Sequence, residues 1–120
     1  MMEKSSKKWS MADISSKNVT HRVAIAGGSI RVGQDAFRLI ESGKMPKGDP
    51  LAMAEIAGIQ AAKQTPALLP LCHPISLNRV MIHSFLQPDG HSVEVFCVAE
   101  ISEKTGVEME ALTGLSLSLI

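Results

Sequence analysis

Up to about residue 18 the chain is polar, rich in Ser and Lys, and without apolar periodicity, which predicts a mobile arm, residues 1–10 being disordered. From Thr20 to Gly33 the pattern turns β-like: Val23 and Ile25, then Ile30 and Val32, alternate with other residues around Gly27-Gly28. That glycine pair fits a hairpin turn, a bulge or a kink. Gln34 to Ser42 predicts a short helix with Ala36, Phe37 and Ile40 on one side and Gly43 as its C-terminal cap. Gly48-Asp49-Pro50 marks the next helix start, Asp as N-cap and Pro at the first helical position. This helix runs to Thr65-Pro66 and is rich in Ala, with Gly58 in its middle. Small residues around most of its surface imply burial on several sides or the close approach of another backbone, a hint of oligomerisation.

Pro66 to Pro74 reads as a connector punctuated by proline. Two β runs follow, Ser76 to Gln87 and His91 to Ser102. Between them lies Pro88-Asp89-Gly90, a turn in which Pro sets φ and Gly is expected to take up positive φ. Val93, Val95, Cys97, Ala99 and Ile101 alternate with Glu94, Phe96, Val98 and Glu100, the signature of a strand with one buried face. After Lys104-Thr105-Gly106 the spacing of Val107, Met109, Ala111, Leu112, Leu115 and Leu119 is helical. The order β-α-α-β-β-α matches an α+β ferredoxin-like sandwich, an antiparallel sheet with helices on one face, up to its expected last strand. The helical pattern stops at Leu119-Ile120 without a Gly cap or a basic last turn, so a longer gene product is expected.

Composition narrows the classes. The 120 residues are 45% hydrophobic, which suffices for one domain with a core. Twelve Lys and Arg balance 12 Asp and Glu, so nucleic-acid binding through counterion release is not expected. No run approaches the ~18 apolar residues of a membrane span, and the basic start (Lys4, Lys7, Lys8) leads into no secretory h-region. Two cysteines, Cys72 and Cys97, are too few for a disulfide scaffold and point to a reducing cytoplasm. Trp9, Phe37, Phe85 and Phe96 are the only large aromatics, so the core must be aliphatic and base stacking has little to use.

Candidate chemistry lies in three places. Pro70 and Pro74 bracket Cys72-His73 and restrict the backbone that carries an imidazole, a group able to move protons near neutral pH or to bind phosphate oxygens. A structural loop histidine is the bland alternative. No C-x-x-C or H-x-x-x-H pair exists, so zinc is not expected. Glu108-Met109-Glu110 opens the last helix, where carboxylates complement the dipole or orient a substrate. Lys47-Gly48-Asp49 puts a cation before a helix N-terminus, an anion site or simply a solvated lysine. Arg22 and Lys63 are further basic groups. Gly27-Gly28 lacks the pattern of a phosphate loop.

Four segments occur in order: Lys47-Gly48-Asp49, Ile56-Ala57-Gly58-Ile59-Gln60-Ala61-Ala62-Lys63, Leu71-Cys72-His73-Pro74, and Thr105-Gly106-Val107-Glu108-Met109-Glu110-Ala111-Leu112-Thr113. Together they closely resemble the MoaC family, the cyclic pyranopterin monophosphate synthases of molybdenum cofactor biosynthesis. The resemblance covers residues 11–120, including the opening Met11-Ala12-Asp13-Ile14-Ser15. It implies a ferredoxin-like subunit in a homo-hexamer, a trimer of dimers with active sites between subunits. It implies a lyase that converts (8S)-3',8-cyclo-7,8-dihydroguanosine 5'-triphosphate into cyclic pyranopterin monophosphate with release of pyrophosphate. In such proteins Leu71, Cys72, His73, Met109 and Glu110 would line the substrate pocket. Lys47 is similar to a lysine near the triphosphate or the reacting ring, and Arg22 and Glu108 match further pocket positions. His73 and Lys47 are the catalytic candidates. No cofactor is implied. Mg²⁺ can accompany the triphosphate, although no carboxylate cluster announces a dedicated metal site.

The family continues into a Tyr-Asp-Met-x-Lys-Ala segment whose Asp and Lys form its principal acid/base pair, and this segment lies beyond Ile120. A chain without that pair is expected to lose orders of magnitude in rate. The alternative reading is therefore a non-catalytic MoaC-like oligomeric module that binds nucleotides or pterins. A structural oligomer without ligand is the third.

Overall fold

The computed structural model describes residues 9–120. The predicted arm therefore falls largely on residues 1–8, outside the described part. Three strands and four helices follow one another as β1 (Thr20–Arg31), α1 (Gln34–Ser42), α2 (Pro50–Lys63), α3 (Thr65–Leu68), β2 (Arg79–Gln87), β3 (Ser92–Glu103) and α4 (Glu108–Leu119). The strands form one antiparallel sheet in the order β1-β3-β2. α2 packs on β2 and α4 on β1 and β3, all on the same face. This is the α+β ferredoxin-like arrangement that the element order predicts.

Burial on β3 follows the alternation in its sequence. Val93, Val95, Cys97, Ala99 and Ile101 are all buried beneath the helices, Cys97, Ala99 and Ile101 completely. With Ala26, Ile82, Val107, Ala111 and Leu115 they form the core. Each large aliphatic side chain so placed contributes about 1.5–3 kcal/mol. Cys97 is walled in tightly enough that burial pushes its thiol up to about 11.

The helix ends obey their sequence signals. Asp49 caps α2 through Oδ1, which accepts from the Leu51 N–H at 2.9 Å and the Ala52 N–H at 3.4 Å. Gly43 closes α1 at φ 73°, a left-handed conformation that costs glycine little.

Four details differ from the sequence reading. Gly27-Gly28 is neither turn, bulge nor kink: β1 pairs residue by residue with β3 straight through it, Gly27 opposite Phe96 and Gly28 opposite Val95. The glycines serve space instead. A Cβ on Gly27 would lie 2.9 Å from the Phe96 ring, and one on Gly28 would lie 3.1 Å from Leu119. In the β2–β3 connection, Pro88–Gly90 form a 3-10 turn and the left-handed residue is His91 at φ 46°, not Gly90. The His91 ring meets Phe37 edge-on at 5.6 Å, and its carbonyl accepts from the Val32 N–H at 2.9 Å. The connector begins with the short helix α3, and β2 starts at Arg79 rather than Ser76. Finally, the small residues of α2 are matched within the chain. Gly58 faces Gly114 of α4, where a Cβ on Gly58 would lie 2.8 Å from the Gly114 carbonyl and would collide with Ser118 Oγ. The close backbone approach that Ala and Gly announced is α2 against α4.

Candidate functional site

The loop after α3 turns sharply at Leu71, whose φ of 67° is unusual for a bulky side chain. Pro70 and Pro74 on either side narrow the alternatives. The turn delivers Leu71, Cys72 and His73 to the start of α4. There they line, with Ile75, Thr105, Gly106, Glu108, Met109 and Glu110, a hollow of about 140 Å³. Segments more than 30 residues apart in sequence thus meet as one site.

α4 begins without a side-chain cap, since its N-cap residue is Val107. The positive end of its dipole therefore lies beside the first-turn carboxylates Glu108 and Glu110, which line the hollow. Glu110 is buried (3% exposed) and Glu108 exposed. Burial, and then the neighbouring Glu108 carboxylate, push the Glu110 carboxyl above its ordinary value. Burial and the Glu110 charge push the half-buried Cys72 thiol up as well. The cleft thus holds a carboxyl biased towards its protonated form and a sulfur biased towards thiol rather than thiolate.

His73 closes the hollow on the other side. Its Nε2 lies 2.8 Å from the main-chain carbonyl of Ala12, in the segment before β1. The sequence reading placed that segment in a mobile arm and assigned it no contact. It also left out Thr105 and Gly106, which registered as a helix boundary. A Cβ on Gly106 would run into the Glu108 carboxylate, so glycine lets that carboxylate fold back over the entry to α4.

The basic candidates lie elsewhere. Lys47 precedes α2 in a turn closed by the Gly48 N–H on the Met45 carbonyl at 3.1 Å. α2 spans about 20 Å, and its N-terminal turn lies beside Leu117–Ile120 at the far end of α4 from the hollow. Within one chain, Lys47 and His73 are apart. Arg22 sits on the helix-covered face of β1 opposite Ile101, with Nε buried and unpartnered, and does not line the hollow. Lys63 and Arg79 border a separate cleft with Ser76 and Asn78. A groove of about 450 Å³ between Ile30, Ile40, Leu51 and Leu119 is apolar and carries no comparable chemistry. Among the described residues no group of three or more His, Cys, Asp or Glu converges as metal ligands would, and no helix is long and apolar enough to cross a membrane.

The α+β sandwich thus brings His73, Cys72 and the buried Glu110, side chains of the kinds that can exchange protons, to the lining of one hollow. The sequence of the MoaC family matches residues 11–120. Over 110 residues, 92% of this chain, it is 48% identical to the cyclic pyranopterin monophosphate synthase of Clostridium botulinum and covers 69% of that protein. The same figures hold for the protein of that name from Novosphingobium aromaticivorans, and the Clostridium perfringens protein is 40% identical, with 70% of its length covered. The chain belongs to the MoaC family.

Proposed function

We propose that this chain acts as a cyclic pyranopterin monophosphate synthase, a lyase of molybdenum cofactor biosynthesis. Its substrate is (8S)-3',8-cyclo-7,8-dihydroguanosine 5'-triphosphate, and its products are cyclic pyranopterin monophosphate and pyrophosphate. The observation that carries this reading is the meeting of Leu71-Cys72-His73 with Glu108-Met109-Glu110 in one hollow. A purine-to-pterin rearrangement needs protons taken and returned at several ring atoms. His73 and a Glu110 biased towards its neutral form supply an acceptor and a donor side by side. Burial and Glu110 push the Cys72 thiol up, which disfavours it as a nucleophile.

Closure of the cyclic phosphate expels pyrophosphate, and charge building on the leaving group calls for cations. The hollow itself contains two glutamates and no Lys or Arg. We assign that role to Lys47 of a neighbouring copy, which makes the working site one shared between subunits. The open face of the sheet supports such assembly, because it exposes Val23, Ile25 and Phe85 by half or more. A homo-hexamer built as a trimer of dimers is the arrangement we favour. Magnesium in this scheme travels with the triphosphate oxygens. The free thiols Cys72 and Cys97 suit the cytoplasm.

The test is incubation of the chain, extended through the family's Tyr-Asp-Met-x-Lys-Ala segment, with the cyclised GTP derivative, reading product by chromatography. Turnover that falls by about 10²–10⁴ in His73→Ala supports the proposal. Binding without turnover would favour the non-catalytic module, and neither binding nor turnover would overturn the assignment of this pocket.

A further inference from the structure

Between Trp9 and Val19 every residue is exposed except Ile14, which is half-buried. The segment is nonetheless ordered by its own bonds. The Ser15 N–H donates to Asp13 Oδ1 at 2.9 Å, which also holds the Asp13 carboxyl below its usual value. The Lys17 N–H donates to the Ile14 carbonyl at 3.0 Å. The turn so formed sits beside the Ala12 carbonyl, and that carbonyl meets the imidazole of His73 across 61 positions of sequence.

A carbonyl oxygen can only accept a hydrogen bond, so Nε2 of His73 must carry the proton. In the neutral ring the lone pair then belongs to Nδ1. The same contact pins the ring's rotation, since the acceptor is main chain and is held by a turn of its own.

We propose that the Met11–Ser15 segment is a positioning strap, in which the Ala12 carbonyl locks His73 as its Nε2–H tautomer and leaves Nδ1 as the atom that exchanges protons with the substrate. Ala12 acts through His73 and touches no reacting atom. The catalytic consequence rests on the synthase reading, whereas the tautomer rests on the contact alone, and the experiment separates the two.

Chain labelled with ¹⁵N-histidine is compared with a deletion of residues 1–14 and with Asp13→Ala, which breaks the turn but shortens nothing. Long-range ¹H–¹⁵N spectra report the protonation of each ring nitrogen, with His73→Ala assigning the signals and backbone amide shifts of β1–β3 verifying the fold. In the full chain His73 shows a protonated, solvent-protected Nε2 and an unprotonated Nδ1. In the deletion the Nε2 proton exchanges freely and the ¹⁵N shifts move to a tautomer average, with Asp13→Ala in between. An unprotonated Nε2 in the full chain, or identical spectra with and without residues 1–14, overturns the strap. In the turnover assay the deletion lowers kcat about 10-fold or more while KM changes little, as expected for loss of a partner that orients a catalytic ring. If neither chain turns over, substrate binding to the full chain decides the function assigned to the pocket, and the spectra still decide the strap.

Discussion

Glu110 sits where a charge is least welcome. Its carboxyl is buried, shares a helical turn with Glu108, and is held above its ordinary value. In the folded state it therefore binds a proton over a pH range in which the unfolded chain, near its ordinary value of 4.5, has released it. Stability then falls as pH rises from that value through the raised one. Replacing Glu110 by Gln removes the charge but keeps the shape. The variant is expected to withstand more urea than the parent at pH 7, and the gap should close below pH 4.5. An equal gap at both pH values would show that burial of the charge is not what strains this helix start.

At the same scale, His73 and Cys72 were legible because flanking prolines make any loop residue conspicuous, and Glu108 and Glu110 because acidic residues at a helix start are. The Ala12 contact was not legible. It is made by a main-chain carbonyl, which no side-chain pattern encodes. The sharp turn at Leu71 was not legible for a related reason, since its left-handed φ is imposed by the path of the loop and not by the residue's own preference.

Among the elements, boundaries marked by capping chemistry agree with the sequence: Asp49-Pro50 opens α2 and Gly43 closes α1. Glycines used for space are harder to read. Gly27-Gly28 announces that side chains are excluded without saying what excludes them, and only the Phe96 ring on one face and Leu119 on the other supply the answer. Gly58 and Gly114 act as a pair, letting α2 and α4 touch through their backbones. A methyl group at position 114 would lie 2.7 Å from Cys97 Sγ, 3.2 Å from the Gly58 carbonyl and 3.4 Å from Ala62 Cβ. Cys97 belongs to a central strand and cannot withdraw. Gly114→Ala is expected to cost about 1–3 kcal/mol by chemical denaturation. A cost within experimental error would mean that the two helices separate easily.

For the molecule as a whole, the two faces of the sheet have opposite fates. One is sealed by α2 and α4. The other presents Val23, Ile25 and Phe85, with the Phe85 and Phe96 rings edge-to-face at 6.1 Å, flanked by a cluster in which Glu100 meets His21 at 3.6 Å and Arg79 at 3.8 Å. Assembly through this face predicts a parent mass in light scattering that is a multiple of 12.9 kDa. Ile25→Lys, at a residue 67% exposed in the single chain, should shift that mass towards one chain without unfolding it. A parent that is already monomeric would remove the basis for a shared site. What covers this face was not legible in the hydrophobic pattern, because Val23, Ile25 and Val98 read as ordinary strand residues whichever surface meets them.

The strand order carries a kinetic consequence. β2 and β3 are joined by a tight turn, and Gln87 pairs with Ser92, so that hairpin closes locally. β1 has no such neighbour. Arg31 pairs with Ser92 and Thr20 with Glu103, so each bond of its ladder closes a loop of half the chain or more. Loop-closure entropy delays such contacts until a platform exists. β1 should therefore dock after the main barrier, with φ-values near ~0 for Ala24→Gly and about 0.5 or more for substitutions in the β2–β3 hairpin. Contacts made after the barrier leave the folding rate alone and slow escape from the native state. The first strand to be synthesised would then be the last to join, and its grip would set the lifetime of the fold.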